Sequence, residues 1–357
     1  MQRDNDRKSK DTLIGRREML VGATSLAAVG MLAPRHAFAA DAPDPAAAKK
    51  EGKVVVWHSD QESDVVNFLK TFTERTGIGG VQQRILPGMA MPKLQAELKA
   101  GSSDLDVYLN ADPGMMDLLR ERQQLLHYQS PEMAGFDASF LSQPAGYWST
   151  YCVNIGALMY DTRYVEPKDA PRTWMDLLDP RWKDQIGFQN AAAGTQYGWW
   201  YALRSVMPEE FWTKLATQKP RAYASSTQIL SSLQNGSLKI GGKVSAYQYV
   251  KAQREKQSIA VVYPPEGTPV TNHVAGIIAA TRRPNASKVF IDYLLSKDGQ
   301  FAFNSIQGSP SARKDVQIPD VAPLSDINIL LPQDFGDFKS HARHAEFIAL
   351  WNKITGF

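Results

Sequence analysis

Runs of apolar residues and amphipathic stripes alternate along this chain at the lengths expected of strands and helices. Lys53-Val54-Val55-Val56-Trp57 is continuous in its apolar character, which predicts a strand buried on both faces of a parallel sheet. A polar turn, His58 to Glu62, ends it. A stripe of Val65, Phe68, Leu69 and Phe72 then predicts a helix closed by Gly77. Val81 to Leu86 reads as a second strand, Met91 to Ala100 as a helix ending at Gly101, and Leu105 to Leu109 as a third strand running into Asn110-Ala111-Asp112. A helix over Met115 to Arg122 completes a strand-helix alternation typical of an α/β lobe with a largely parallel sheet. Ligands of such sheets sit beyond the C-terminal strand ends, where His58 to Gln61 and Asn110 to Asp112 fall.

A second region opens with a strand over Val153 to Tyr160 and a short helix over Thr173 to Leu178. Gln185 to Phe188 is strand-like, and a helical pattern through Tyr201, Leu203 and Val206 follows it. The segment between them, Gln189 to Tyr201, is rich in small residues from Ala191 to Thr195, with Thr195 expected as the N-cap. Such a helix start bares backbone N–H groups that suit a phosphate or carboxylate, although an ordinary cap would look the same. Further on come helices over Phe211 to Thr217 and Ile229 to Leu233, a segment Val244 to Tyr249, strands over Ile259 to Tyr263 and His273 to Ala280, and helices from Ala286 onward. Tyr247 and Tyr249 have the spacing that puts two strand residues on one face. No internal repeat is visible.

Charge and composition change the picture mainly at the N-terminus. Arg3, Arg7, Lys8, Lys10, Arg16 and Arg17 precede an apolar run from Met19 to Leu32, and Ala37-Phe38-Ala39 supplies small-residue cleavage positions. The pair Arg16-Arg17 resembles a twin-arginine export signal, so cleavage is expected after Ala39 and the mature chain in the periplasm. The apolar run is shorter than the roughly 20 residues that span a bilayer. Residues 1–39 carry seven Lys/Arg and four Asp/Glu, which leaves 33 of each sign in the remainder. With no net charge there, nothing points to nucleic acid or a membrane surface. Asp41 to Lys50 reads as a linker, and Cys152, the single cysteine, excludes an internal disulfide and is expected as a small buried hydrophobe.

Lys53 to Trp57, Met159-Tyr160-Asp161-Thr162, Ala193-Gly194-Thr195-Gln196-Tyr197, Gln234-Asn235-Gly236, Pro264-Pro265-Glu266-Gly267-Thr268 and Ile291 to Gln300 occur in an order and spacing that resembles the extracellular solute-binding proteins of ABC importers. The chain is most similar to the branch holding ferric-iron-binding, phosphonate-binding and sugar-phosphate-binding proteins. The resemblance implies a type II periplasmic-binding-protein fold, with two α/β lobes joined by crossing strands near Asn154 to Tyr160 and Thr271 to Ala275. The expected lobes are 40–154 with 271–304, and 155–270 with 305–357. It also implies a small-molecule solute, a membrane ABC permease with a cytoplasmic ATPase as partner, and a monomer.

For the site, the resemblance implies that Gly194, Thr195, Gln196 and Tyr197 with Ser225, Ser226 and Thr227 grip a phosphoryl, phosphonyl or carboxyl group. His58, Ser59, Asp60 and Gln61 are candidates on the rim of the first lobe, with Asn110 and Asp112 beside them, Tyr247 and Tyr249 across the cleft, and Asn272 and His273 near the hinge. His58 equally reads as a solvated turn histidine, and the two tyrosines as half-buried core. One of Trp199 and Trp200 is expected to face the cleft. In ferric-binding members a histidine, an acid and two adjacent tyrosines hold iron; those positions fall here on Gln61, Ala111 and Tyr247-Gln248-Tyr249, which leaves iron(III) on His58, Asp112, Tyr247 and Tyr249 as the alternative. Otherwise no cofactor is expected. His341 and His344 read as a solvated helix face. An exported hydrolase is the remaining alternative, against which stands the absence of a Gly-x-Ser-x-Gly elbow, a His-Glu-x-x-His helix or a phosphate-binding lysine loop.

Overall fold

The structure, a computed structural model, describes residues 42–85, 87–332 and 334–356. The export signal expected over residues 1–39 lies outside the described residues, as does Leu86 at the end of the second expected strand.

The segment expected as a linker is instead helical. Asp44 accepts the N–H groups of Ala46 and Ala47, Pro45 occupies the first helical position, and helix α1 (Pro45–Glu51) ends on Gly52 at φ 78°. There follow β1 (Lys53–His58), α2 (Glu62–Thr76), β2 (Gly79–Arg84), α3 (Pro87–Lys99), β3 (Val107–Asn110) and α4 (Pro113–Glu121). After two 3-10 turns comes β4 (Ser149–Asp161), thirteen residues long and buried throughout. The next elements are β5 (Ile186–Gln189), α5 (Gly194–Leu203), α6 (Glu209–Thr217), β6 (Arg221–Tyr223), α7 (Ser226–Gln234), β7 (Ile240–Ser245) and α8 (Tyr247–Arg254). The chain finishes with β8 (Ile259–Val262), β9 (Thr268–Ile277), α9 (Pro284–Leu295), α10 (Lys297–Gln307), β10 (Ile329–Leu330), α11 (Phe335–Phe338) and α12 (His341–Thr355). Among the described residues no helix is long and apolar enough to cross a membrane.

The strands join in the order β2-β1-β3-β9-β4-β7-β5-β6, with β8 on β4 and β10 on β9. Two parallel groups, β2-β1-β3 and β7-β5-β6, are thus linked through the antiparallel pair β4 and β9. Asn154 pairs with Thr271 and Ile155 with Val270, after which β4 leaves β9 and takes β7 and β8 as partners. The two long strands therefore serve both halves of a mixed α/β fold with one continuous, curled sheet.

Each half has its own core. In the first, the predicted stripe of α2 meets α9 and α10: Phe68 lies edge-on to Phe290 and Phe303 at 6.1 and 5.3 Å, and Phe72 edge-on to Phe290 at 5.2 Å. Ser296 separates those two helices and caps the second, its Oγ accepting the Gly299 N–H at 3.0 Å. Ser296→Ala should therefore destabilise the protein by about 1 kcal/mol, read as a lower urea midpoint with an unchanged slope. The second core is aromatic, built on Trp174, Phe188, Trp199, Trp200, Trp212, Phe347 and Trp351. Beyond α10 the chain divides its packing: Ala312 and Ile327 lie in the first core, Phe347, Trp351 and Ile354 in the second.

Candidate functional site

Strand β5 ends at Gln189, and α5 begins four residues after Asn190. Ala193, extended at φ −81° and ψ 113°, is the N-cap position, and no side chain caps the helix. Thr195 is thus one turn-position inside the helix and not its cap. The hydroxyl that would have capped donates instead to Gln189 Oε1 at 3.0 Å. The N–H groups of Gly194 and Thr195 have no acceptor among the described residues, whereas that of Gln196 bonds Ala193 O at 2.9 Å. Two of the expected amides are therefore bare and one is committed.

Lys243, which reading the sequence missed, lies against this helix start. Its Nζ is 2.7 Å from Gln189 Oε1 and 2.8 Å from Thr195 Oγ1, at 1% exposure. No carboxylate pairs with it among the described residues, and burial pulls its ammonium down to about 7. The available signal was a lysine inside the apolar run Ile240-Gly241-Gly242-Lys243-Val244, since buried lysines are rare without a partner. Gly156 on β4 makes the room: a Cβ there would stand 3.0 Å from Trp199 Cδ1 and 3.3 Å from Lys243 Cε.

The neighbouring helix start is less open. Ser225 Oγ caps α7 by accepting the Gln228 N–H at 3.2 Å, Ser226 Oγ accepts the Ser245 N–H at 3.3 Å, and Thr227 Oγ1 accepts Gln248 Nε2 at 3.0 Å. Their hydroxyls tie α7 to β7 and α8, while the N–H groups of Ser226 and Thr227 have no acceptor among the described residues.

The tyrosine pair is a correction. Ala246 turns helical, its N–H bonding Ile155 O at 2.8 Å, so Tyr247 and Tyr249 lie on α8 about 200° apart around its axis and not on one strand face. Tyr247 reaches across to Gln61, and burial raises its phenol. Tyr249 packs into a small apolar cluster with Ile229 and Leu233. Tyr197 turns inward, stacking on His344 at 3.8 Å and donating to Phe338 O. His344 is thus half-buried and not on a solvated face, and burial lowers its basicity while Asp112 opposes that. Trp199 and Trp200 are both buried in the aromatic core, so neither faces a cleft.

On the first half, His58 is fully buried, with Nε2 2.7 Å from Gln82 Oε1 and Nδ1 without a partner among the described residues, so it is not a solvated turn residue. Ser59 Oγ is buried without a partner among the described residues. Asp60 is enclosed: it meets His273 Nδ1 at 2.7 Å, accepts Tyr151 OH, and lies 3.5 Å from Gln307 Nε2. Burial opposes its ionisation, but His273 and Tyr151 together hold the carboxyl below its ordinary range. Asn110 and Asp112 are occupied with each other, and Asp112 Oδ1 caps α4 through the Met115 N–H at 3.2 Å. Burial lifts the Asp112 carboxyl. On the crossing strands, Asn154 Oδ1, Asn272 Oδ1 and His273 Nε2 are buried with no partner among the described residues. The halves touch directly through Lys251 and Asp64 at 3.0 Å and through Lys339 and Glu121.

The fold defines the class as a two-lobed binding protein of type II. A solved structure of iron-bound HitA from Pseudomonas aeruginosa superposes with a TM-score of 0.72 at 21% identity, covering 85% of this chain and 99% of that one. AfuA from Actinobacillus pleuropneumoniae, solved with fructose-6-phosphate, superposes with a TM-score of 0.73 at 20% identity, covering 86% and 99%. The major ferric iron-binding protein of Neisseria meningitidis serogroup B is 24% identical over 159 residues, which are 42% of this chain and 48% of that protein. The chain thus spans about half the length of that curated relative. The profile of the bacterial extracellular solute-binding proteins matches residues 105–329. The chain belongs to that family.

Proposed function

We propose that this protein captures a small anionic organic solute in the periplasm and delivers it to a membrane ABC permease driven by a cytoplasmic ATPase. The observation that carries this reading is the pair of N–H groups at Gly194 and Thr195, bare among the described residues, beside a buried lysine that has no carboxylate partner among them. The proposed lobes are 40–154 with 271–327 and 155–270 with 328–357, the packing of Ala312 and Ile327 moving the second boundary. They close about the paired strands β4 and β9 when ligand bridges them, and the closed form is what the permease meets. Such a cycle needs no chemistry on the ligand, and relatives of this family are binding proteins.

Iron is disfavoured by the geometry of α8. The two phenols diverge, His58 is bonded to Gln82, and Asp112 is occupied as a cap, so hard oxygen donors do not converge. A thermal-shift and calorimetric screen of the mature protein against methylphosphonate, fructose 6-phosphate, citrate and ferric citrate decides between them. A phosphorylated or phosphonate compound is expected to raise Tm, and ferric citrate to show no tyrosinate-to-iron band beyond its own absorbance. Stabilisation by ferric citrate alone, with a visible tyrosinate-to-iron band, overturns the reading.

A further inference from the structure

Around Lys243 the structure places many hydrogen-bond donors and few acceptors. Gln189 Oε1 already receives the Thr195 hydroxyl at 3.0 Å in addition to Lys243 Nζ at 2.7 Å. Gln196 is fully buried at the junction of β5 and α5, where its Oε1 accepts the Gln189 N–H at 3.2 Å and its Nε2 has no partner among the described residues. The helix start thus has three donors unused besides the amine among the described residues: the buried Gln196 Nε2 and, at its more open edge, the N–H groups of Gly194 and Thr195. A buried donor left without an acceptor is costly, and an oxyanion at the helix start would answer the amine, the Gln196 carboxamide and the two open N–H groups together.

We infer that Lys243 is the countercharge of a bound phosphoryl or phosphonyl group, and that it enters the complex by taking up one proton from solvent as the ligand arrives. This rests on the proposed oxyanion reading of the site. The groups packed on Lys243 are Gly156 of β4, Gln189 of β5, and Thr195 and Trp199 of α5, none of them titratable in the working range. Both phenols of α5 are turned away, Tyr197 onto Phe338 O and Tyr201 onto Asp334 O and Asp337. Burial alone depresses the amine, to about 7, so above neutrality the ligand-free protein holds it uncharged. An oxyanion alongside favours the charged form and draws a proton in.

The test is calorimetry of the mature protein with methylphosphonate and inorganic phosphate at about pH 8.5, where both are largely dianions, in buffers of different ionisation enthalpy. The expected result is uptake of close to one proton per ligand bound. Lys243→Met should bind about 100-fold more weakly and take up none, with its circular dichroism unchanged. Binding by the wild-type protein without proton uptake, or equal affinity in Lys243→Met, overturns the inference and leaves the oxyanion site standing. Failure of the wild-type protein to bind either probe overturns the oxyanion reading and this inference together.

Discussion

Gly194→Pro is expected to lower affinity for the oxyanion ligand by about 10- to 100-fold while leaving Tm unchanged or slightly raised. Gly194 is the first helical residue of α5, the one position where proline's fixed φ is pre-set for the helix and its missing N–H breaks no internal bond. The residue before a proline must be extended, and Ala193 already is, at φ −81° and ψ 113°. A Cβ at Gly194 would meet no atom within 4 Å. The substitution therefore deletes one donor and little else. Hydrogen bonds to a charged group contribute about 1.5–3 kcal/mol, which sets the expected loss. Restricting the unfolded chain returns a few tenths of a kcal/mol in stability. Gly194→Ala keeps the amide and should bind within about twofold of wild type, by the same calorimetry. Equal affinity in Gly194→Pro would mean that the amide faces no ligand, and the site would have to be sought elsewhere.

Elements whose pattern and caps agree were legible in the sequence. The apolar run of β1 and the α2 stripe with Gly77 at φ 73° stand where the residues place them, whereas α5 starts at Gly194 without the cap expected at Thr195. The failures came where tertiary partners decide. Ala246-Tyr247-Gln248-Tyr249-Val250 alternates like a strand, yet β7 has already paired to its end at Ser245 and the chain turns into α8. Ser149 and Thr150 look like loop residues, but pairing with Ala275 and Val274 makes them the start of β4. Asp44-Pro45 resembles a linker and proves to be a helix start.

The site divided along similar lines. The bare amides of Gly194 and Thr195 were legible because small residues at a helix start bare backbone, a local property. Asp60 and His273 are separated by more than two hundred residues, and nothing local announces that each is the other's partner. Lys243 was missed for the opposite reason. Its neighbours said buried strand, its own charge said surface, and that contradiction is what singles it out as a candidate.

The contradiction has a measurable consequence for folding. In the unfolded chain Lys243 titrates at its ordinary 10.5, and in the folded protein burial holds it near 7. Above both values the amine is neutral in either state and contributes nothing. As pH falls through the interval, the unfolded chain takes up a proton that the folded protein refuses, so stability falls with it. Below about 7 the loss is complete, at about 5 kcal/mol by linkage. Lys243→Met keeps the volume and removes the titration, and Gln189 Oε1 retains the Thr195 hydroxyl at 3.0 Å as a partner. Urea denaturation without ligand should therefore show the variant more stable than wild type at about pH 6 by several kcal/mol, with the gap closing toward about pH 10. Parallel stability curves for the two proteins would show that Lys243 stays solvated when folded. On the proposed reading, a residue that costs the free protein stability and is relieved by an arriving anion ties ligand binding to the stability of the half that holds it.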